Sequence, residues 1–204
     1  LGKSIESIAY EKAGILKPGV PAVIAPQHPA AMRVIEDRAR EVGAELIPVV
    51  VPEAQVEAWG SRLNIDGVDY TCPLAGRHQV INAATAIAGC RRLGMSAHGI
   101  ANAKWPGRIE RVGKFVLDGA HNPAGARALA AYIGEFHGDK KIGLIYGAMR
   151  DKSVEEIIAE RPDILLSGPW SEMTADLAKR FGIRIVRLDA PRDIASARRQ
   201  IIDV

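Results

Sequence analysis

Along the chain, apolar residues fall first on one face of a short helix and then into brief buried runs separated by amphipathic stretches. Ile5, Ile8 and Ala9 share a helical face over residues 4–11, Ser4 stands where an N-cap belongs, and Gly14 with the Lys17-Pro18-Gly19 turn ends the helix. Residues 20–25 read as a short buried strand, His28-Pro29 opens a helix to about Val42, and 45–51 read as a second strand, together a β-α-β unit. Residues 62–65 and 68–71 flank Asp66-Gly67, a dipeptide that supplies the positive φ angles of a two-residue hairpin turn. Residues 79–93 form a strongly apolar helix ended by Gly94.

Beyond Trp105-Pro106-Gly107 the alternation becomes regular. Strands are predicted at 115–117 and 142–146 and helices at 123–136 and 154–159, and the segments 163–166, 175–181, 183–188 and 194–202 continue the series. Strands separated by helices of this length imply parallel β-α-β crossovers with helices on both faces. The predicted fold class is therefore α/β: a Rossmann-like domain with a mostly parallel sheet over 105–204, preceded over 1–104 by the remainder of another α/β domain.

Composition narrows the function classes. At about 150 residues per domain, 204 residues allow one large domain or one whole domain plus part of another. With 48% hydrophobic and 25% charged residues the chain can bury a core. No apolar run approaches the roughly 18 residues of a spanning helix, and the first residues carry no secretory pattern, so no membrane partner is expected. There is no initiator Met, and the expectation is a chain that starts partway into a longer protein. The net charge of +3 is spread over both halves, and Arg91-Arg92 and Arg198-Arg199 fall on predicted helices as solvated faces, so no nucleic-acid partner is expected. Cys72 and Cys90 sit in apolar surroundings without CxxC spacing and read as reduced thiols of a cytoplasmic protein.

Several segments have residues suited to chemistry. Gly2-Lys3-Ser4 matches three of the eight positions of a phosphate-binding loop, too few to separate it from a plain helix N-terminus. In Glu11-Lys12-Ala13-Gly14-Ile15-Leu16-Lys17-Pro18-Gly19, Lys12 is either a solvated cation at a helix end or a lysine brought by the glycine turn to a metal or phosphate. Gly76-Arg77-His78-Gln79-Val80-Ile81-Asn82 opens the apolar helix; His78 and Gln79 suit capping, and Asn82 could bond a purine ring or only backbone. In Trp105-Pro106-Gly107-Arg108 the planar guanidinium fits a phosphate, a stacked base or an interdomain ion pair.

Phe115-Val116-Leu117-Asp118-Gly119-Ala120-His121-Asn122-Pro123 is the most informative stretch. A strand delivers Asp118 to its carboxyl end, where open α/β sheets bind ligands, and Asn122-Pro123 begin a helix. Asp118 could accept hydrogen bonds from ribose hydroxyls, and His121 could orient a substrate carboxylate. Gly147-Ala148-Met149-Arg150-Asp151-Lys152 follows the next strand and reads equally as a solvated loop or a substrate contact.

The run from Leu1 to Gly19 closely resembles a signature of the folylpolyglutamate synthase/dihydrofolate synthase branch of the Mur ligase superfamily. Gly76 to Asn82, Pro106-Gly107-Arg108, Asp118 to Pro123 and Gly147 to Lys152 resemble further motifs of that branch, in its order. The resemblance implies an ATP- and Mg²⁺-dependent ligase in which a folate or dihydropteroate carboxylate is phosphorylated and L-glutamate displaces the phosphate. It implies that residues 1–104 are the C-terminal part of the central ATPase domain and that 105–204 are the C-terminal domain, incomplete at its end. By the same resemblance Lys12 becomes carbamylated and supports the metal, Asn82, Arg108 and Asp118 contact ATP, with Asp118 on the ribose, and His121 acts at the glutamate or acyl-phosphate end. Gly2-Lys3-Ser4 then belongs to the signature, not to a phosphate loop.

In that branch the phosphate loop and the metal-binding Glu and His lie ahead of the signature. These 204 residues alone are therefore expected to be inactive, and the whole ligase to be a cytoplasmic monomer. Asp151-Lys152-Ser153 also departs from the commoner Asp-Lys-Asp. The alternatives are another Mur-type amino-acid ligase, which the 11–19 run disfavours, and a noncatalytic nucleotide-binding α/β module.

Overall fold

The computed structural model describes residues 4–120, 122–145, 164–167 and 184–187. The chain divides into two compact units, Leu1–Leu117 and Asp118–Val204. The boundary expected near 104 came from the change in pattern; residues 105–117, Arg108 among them, lie with the first unit.

The first unit opens with helix α1 (Ile5–Ala13), where Ser4 and Ser7 cap one another reciprocally: Ser7 N–H donates to Ser4 Oγ at 3.2 Å, and Ser4 N–H to Ser7 Oγ at 3.1 Å. Strands β1 (Ala22–Ile24) and β2 (Leu46–Pro48) pair in parallel, with helix α2 (Pro29–Val42) as the crossover. His28 caps α2 by accepting from Ala30 N–H at 3.2 Å, and Gly43 ends it at φ 69°. Ala13, Leu16 and Ala39 are buried at the centre of this subassembly, with Ile35 and Leu46 packed against them.

Next comes an antiparallel sheet of β3 (Ala54–Glu57), β4 (Gly60–Ile65) and β5 (Val68–Cys72), covered by helix α3 (His78–Arg92). The β4–β5 turn is the expected hairpin, with Asp66 at φ 53° and Gly67 at φ 78°. Strand alternation turns Leu63, Tyr70 and Cys72 inward, and Val80, Ala83 and Ile87, three or four apart on α3, meet them. Burial of a side chain the size of Leu63 or Ile87 contributes about 1.5–3 kcal/mol, which fixes α3 on the sheet. Arg91 of α3 reaches back to the turn, donating to Asp66 Oδ2 at 2.5 Å and to the Ile65 carbonyl at 3.0 Å.

A 3₁₀ turn (His98–Asn102) leads to a hairpin of β6 (Glu110–Val112) and β7 (Phe115–Leu117). The Arg111 guanidinium lies 5.4 Å from the centroid of Trp59, which ties this hairpin to the β3–β4 turn. This corrects one expectation: 115–117, expected to lead a parallel series, pair antiparallel with 110–112. Gly113, at φ 61°, allows the tight return that makes this local pairing.

In the second unit, Asn122 caps helix α4 (Pro123–His137), its Oδ1 accepting from Gly125 N–H at 2.9 Å. Strands β8 (Leu144–Ile145), β9 (Ile164–Ser167) and β10 (Arg184–Arg187) form a parallel sheet in the order β10-β9-β8. This is the α/β arrangement expected for that half. The helices expected at 154–159, 175–181 and 194–202 lie outside the described residues.

Candidate functional site

The entry to α3 forms a turn and then a cleft. Gly76 takes φ 97°, and a Cβ there would stand 2.7 Å from Cε1 and 2.9 Å from Nδ1 of His78, so the imidazole folds over a position only glycine leaves open. Arg77 stands at the N-cap in helical conformation without a side-chain cap bond. Gln79 is 5% exposed, and its Oε1 accepts from Asn82 Nδ2 at 3.0 Å.

Beside this turn is a cleft of about 510 Å³, lined by Cys72, Leu74, His78, Gln79, Asn82, Ala83, Ala86, Ile100, Trp105 and Arg108. The volume is that of a small-molecule site, and the character is mixed: apolar walls, two amides, an imidazole, an indole and a guanidinium. Trp105 is largely exposed, leaving its ring face open to a ligand. Burial pushes the Cys72 thiol above its ordinary pKa, so it is a neutral part of the lining. The set suits a flat heteroaromatic ring joined to an anionic group: aliphatic and indole surfaces for the ring, an amide for its edge, a planar fork for the anion.

Arg108 enters the cleft from a turn of unusual backbone. Gly107 has φ 69° and donates its N–H to Glu110 Oε2 at 2.8 Å, and Ile109, 3% exposed, has φ 48°. A β-branched residue in the left-handed region is an outlier held in place by its surroundings.

Of the five residues singled out from sequence, Asn82 and Arg108 come together in this cleft. Lys12 lies in the last turn of α1, exposed and outside the cleft lining. Asp118 is the first residue of the second unit, where its Oδ1 accepts from Ala120 N–H at 2.8 Å. His121 lies outside the described residues, as do Leu1-Gly2-Lys3 and the 147–152 loop. Among the described residues no group of three or more His, Cys, Asp or Glu is placed to hold a metal ion. The cleft-lining Cys72, Leu74 and Ile100, together with Ile109, were missed. Apolar residues carry no sequence signal for lining a site, and nothing in a sequence marks an isoleucine for positive φ.

Residues 107–202 match the family model of the Mur ligase, glutamate ligase domain. The chain is similar to the dihydrofolate synthase/folylpolyglutamate synthase of Bacillus subtilis, 33% identical over 181 residues that cover 78% of this chain and 42% of the relative. It is also similar to the folylpolyglutamate synthase of Lacticaseibacillus casei, 30% identical over 174 residues, 74% of this chain and 40% of the relative. The chain thus spans about two fifths of the length of these relatives. Among solved structures, the Mycobacterium tuberculosis folylpolyglutamate synthase complexed with ADP and AMPPCP superposes with a TM-score of 0.78 at 29% identity, covering 100% of this chain and 54% of that one. A complex of folylpolyglutamate synthase with AMPPCP and folate gives 0.71 at 29% identity, covering 99% and 57%.

Proposed function

Since this chain is a homologue of the folylpolyglutamate and dihydrofolate synthases of the Mur ligase superfamily, we propose that it is the adenine-nucleotide-holding part of an ATP-dependent glutamate ligase. The carboxylate of a folate or dihydropteroate attacks the γ-phosphorus of ATP, releasing ADP and giving an acyl phosphate. The amine of L-glutamate then adds to the acyl carbon, phosphate leaves, and the nitrogen gives up a proton to form the amide. A free carboxylate is a poor electrophile, and phosphorylation supplies the leaving group it lacks.

One observation carries this reading: the cleft joins the Asn82 amide, the Trp105 face and the Arg108 guanidinium on apolar walls, the chemistry of a site for a purine nucleotide. Arg108 would offset nucleotide phosphate charge with charge-assisted hydrogen bonds. Asp118 would accept from the ribose hydroxyls, and His121 would orient the incoming glutamate or the acyl phosphate. We assign 1–104 to the C-terminal part of the central ATPase domain and 105–204 to the C-terminal domain, whose leading residues 105–117 belong to the first compact unit. The kinship of residues 107–202 with the glutamate ligase domain supports the second assignment.

The reaction in this superfamily calls for Mg²⁺, and the described residues do not build a site for it, since they hold no cluster of acidic or imidazole ligands. Their one contribution would be Lys12, which as a carbamate would carry a carboxylate. Two free thiols, Cys72 and Cys90, fit a reducing, cytoplasmic setting, and among the described residues no helix is long and apolar enough to cross a membrane. The test is glutamate-dependent ADP release by the full-length protein with dihydropteroate or tetrahydrofolate. Release with either supports the reading, and release with neither but with a muramyl substrate rejects it.

A further inference from the structure

We propose that Ile109 is the positioning residue for Arg108: its buried side chain, seated against Gly76, fixes where the guanidinium stands in the cleft. The proposal rests on the reading of that cleft as the nucleotide site.

Ile109 has φ 48°, a conformation that Gly or Asn takes readily and a β-branched residue only when held in it. What isoleucine adds over those residues is its side chain, which is buried. Its Cδ1 lies 3.0 Å from where a Cβ at residue 76 would stand, and Cε1 of His78 lies 2.7 Å from the same point. Ile109, the bare backbone of Gly76 and the His78 ring therefore converge, and any side chain at 76 would displace one of them. His78 and Arg108 both line the cleft, so this convergence lies directly beside it.

On the other side of Arg108, Gly107 at φ 69° donates its N–H to the Glu110 carboxylate at 2.8 Å. Arg108 is thus bracketed by two left-handed residues, one closed by a carboxylate and the other anchored by a buried plug. A long arginine side chain gains affinity for an anion when its starting direction is fixed in advance, because less freedom is lost on binding. Glycine at 109 would keep the turn and lose the anchor.

The test is a double-mutant cycle on the full-length protein, with AMPPCP and magnesium chloride as the probe and calorimetry as the readout. Arg108→Ala is expected to weaken binding by about tenfold or more, and Ile109→Ala by roughly tenfold. The double variant should bind no more weakly than Arg108→Ala alone, because Ile109 acts only through the guanidinium. Ile109→Val, which keeps the branch and most of the plug, should come within about threefold of the unaltered protein.

Losses that multiply in the double variant would mean that Ile109 supports the fold at large, and would overturn the proposal; so would full affinity in Ile109→Ala. If Ile109→Ala does not fold, Ile109→Val carries the same decision: a loss that vanishes beside Arg108→Ala supports positioning, and one that persists overturns it. An Arg108→Ala variant with unchanged affinity would reject the nucleotide reading itself, and the positioning role with it.

Discussion

Nδ2 of Asn82 donates to Oε1 of Gln79 at 3.0 Å, one helical turn apart on α3, so a buried amide orients an exposed one at the wall of the cleft. The plane of the Asn82 amide is thereby set before a ligand arrives. Asn82→Ala should weaken AMPPCP binding by up to about tenfold, the loss of one hydrogen bond worth about 0.5–1.5 kcal/mol. Because the buried Gln79 Oε1 loses this donor, the melting temperature should also fall modestly. Binding isotherms beside thermal melts check this; unchanged affinity would remove Asn82 from the nucleotide site.

Asp118 can be tested apart from its turn. Its Oδ1 accepts from Ala120 N–H, a bond that an asparagine at 118 would keep while losing the charge. Asp118→Asn should therefore fold normally and lose about 1.5–3 kcal/mol of nucleotide binding, if the carboxylate takes the ribose hydroxyls. Full affinity in that variant would leave Asp118 with the turn alone.

Lys12 is exposed in the last turn of α1, where as a cation it interacts favourably with the helix end by no more than about 0.3–1 kcal/mol. Lys12→Ala should thus cost little stability. Activity of the full-length protein should fall steeply and return in part on adding short carboxylic acids, if the working group is a carbamate. Near-normal activity without any rescue would make Lys12 only a helix-end charge.

Gly60 sits at φ 142° at the start of β4, and a Cβ there would meet the Cys72 carbonyl oxygen at 2.7 Å. Neither side of that clash is a flexible side-chain end. Gly60→Ala should destabilise the protein by about 1–3 kcal/mol, measured by denaturant unfolding, because β4 and β5 must part to admit the methyl.

Cys72 offers a test by pH. Its raised pKa comes from burial, whereas Cys90 is only half-buried. Iodoacetamide near pH 8 should label Cys90 first and Cys72 only as the protein unfolds. The folded pKa lies above the unfolded one, so this contribution to stability is complete below the ordinary thiol pKa of about 8.5 and declines as pH rises past it. Denaturant midpoints between pH 7 and 10 should show that decline, and Cys72→Ala should lack it.

Much of the fold was legible where one residue type has one physical use. Asp66-Gly67 had to be the hairpin turn, and Ser4, His28 and Asn122 cap the helices that follow them. Strand β3 was missed because 54–57 is half polar, too short for its alternation to stand out, and β6 because Glu110-Arg111 reads as loop. Asn82 and Arg108 were legible as candidates but not as neighbours, since nothing local says that a turn after α3 returns to its first turn. Ile109 was invisible: its role lies in a backbone angle opposite to its own preference.

ADP release from the full-length protein given ATP, L-glutamate and, in parallel, dihydropteroate, tetrahydrofolate and a muramyl substrate decides which carboxylate the ligase activates. A folate-type ligase releases ADP in a glutamate-dependent way with at least one pterin substrate and not with the muramyl compound. Turnover with the muramyl compound alone would contradict the folate assignment.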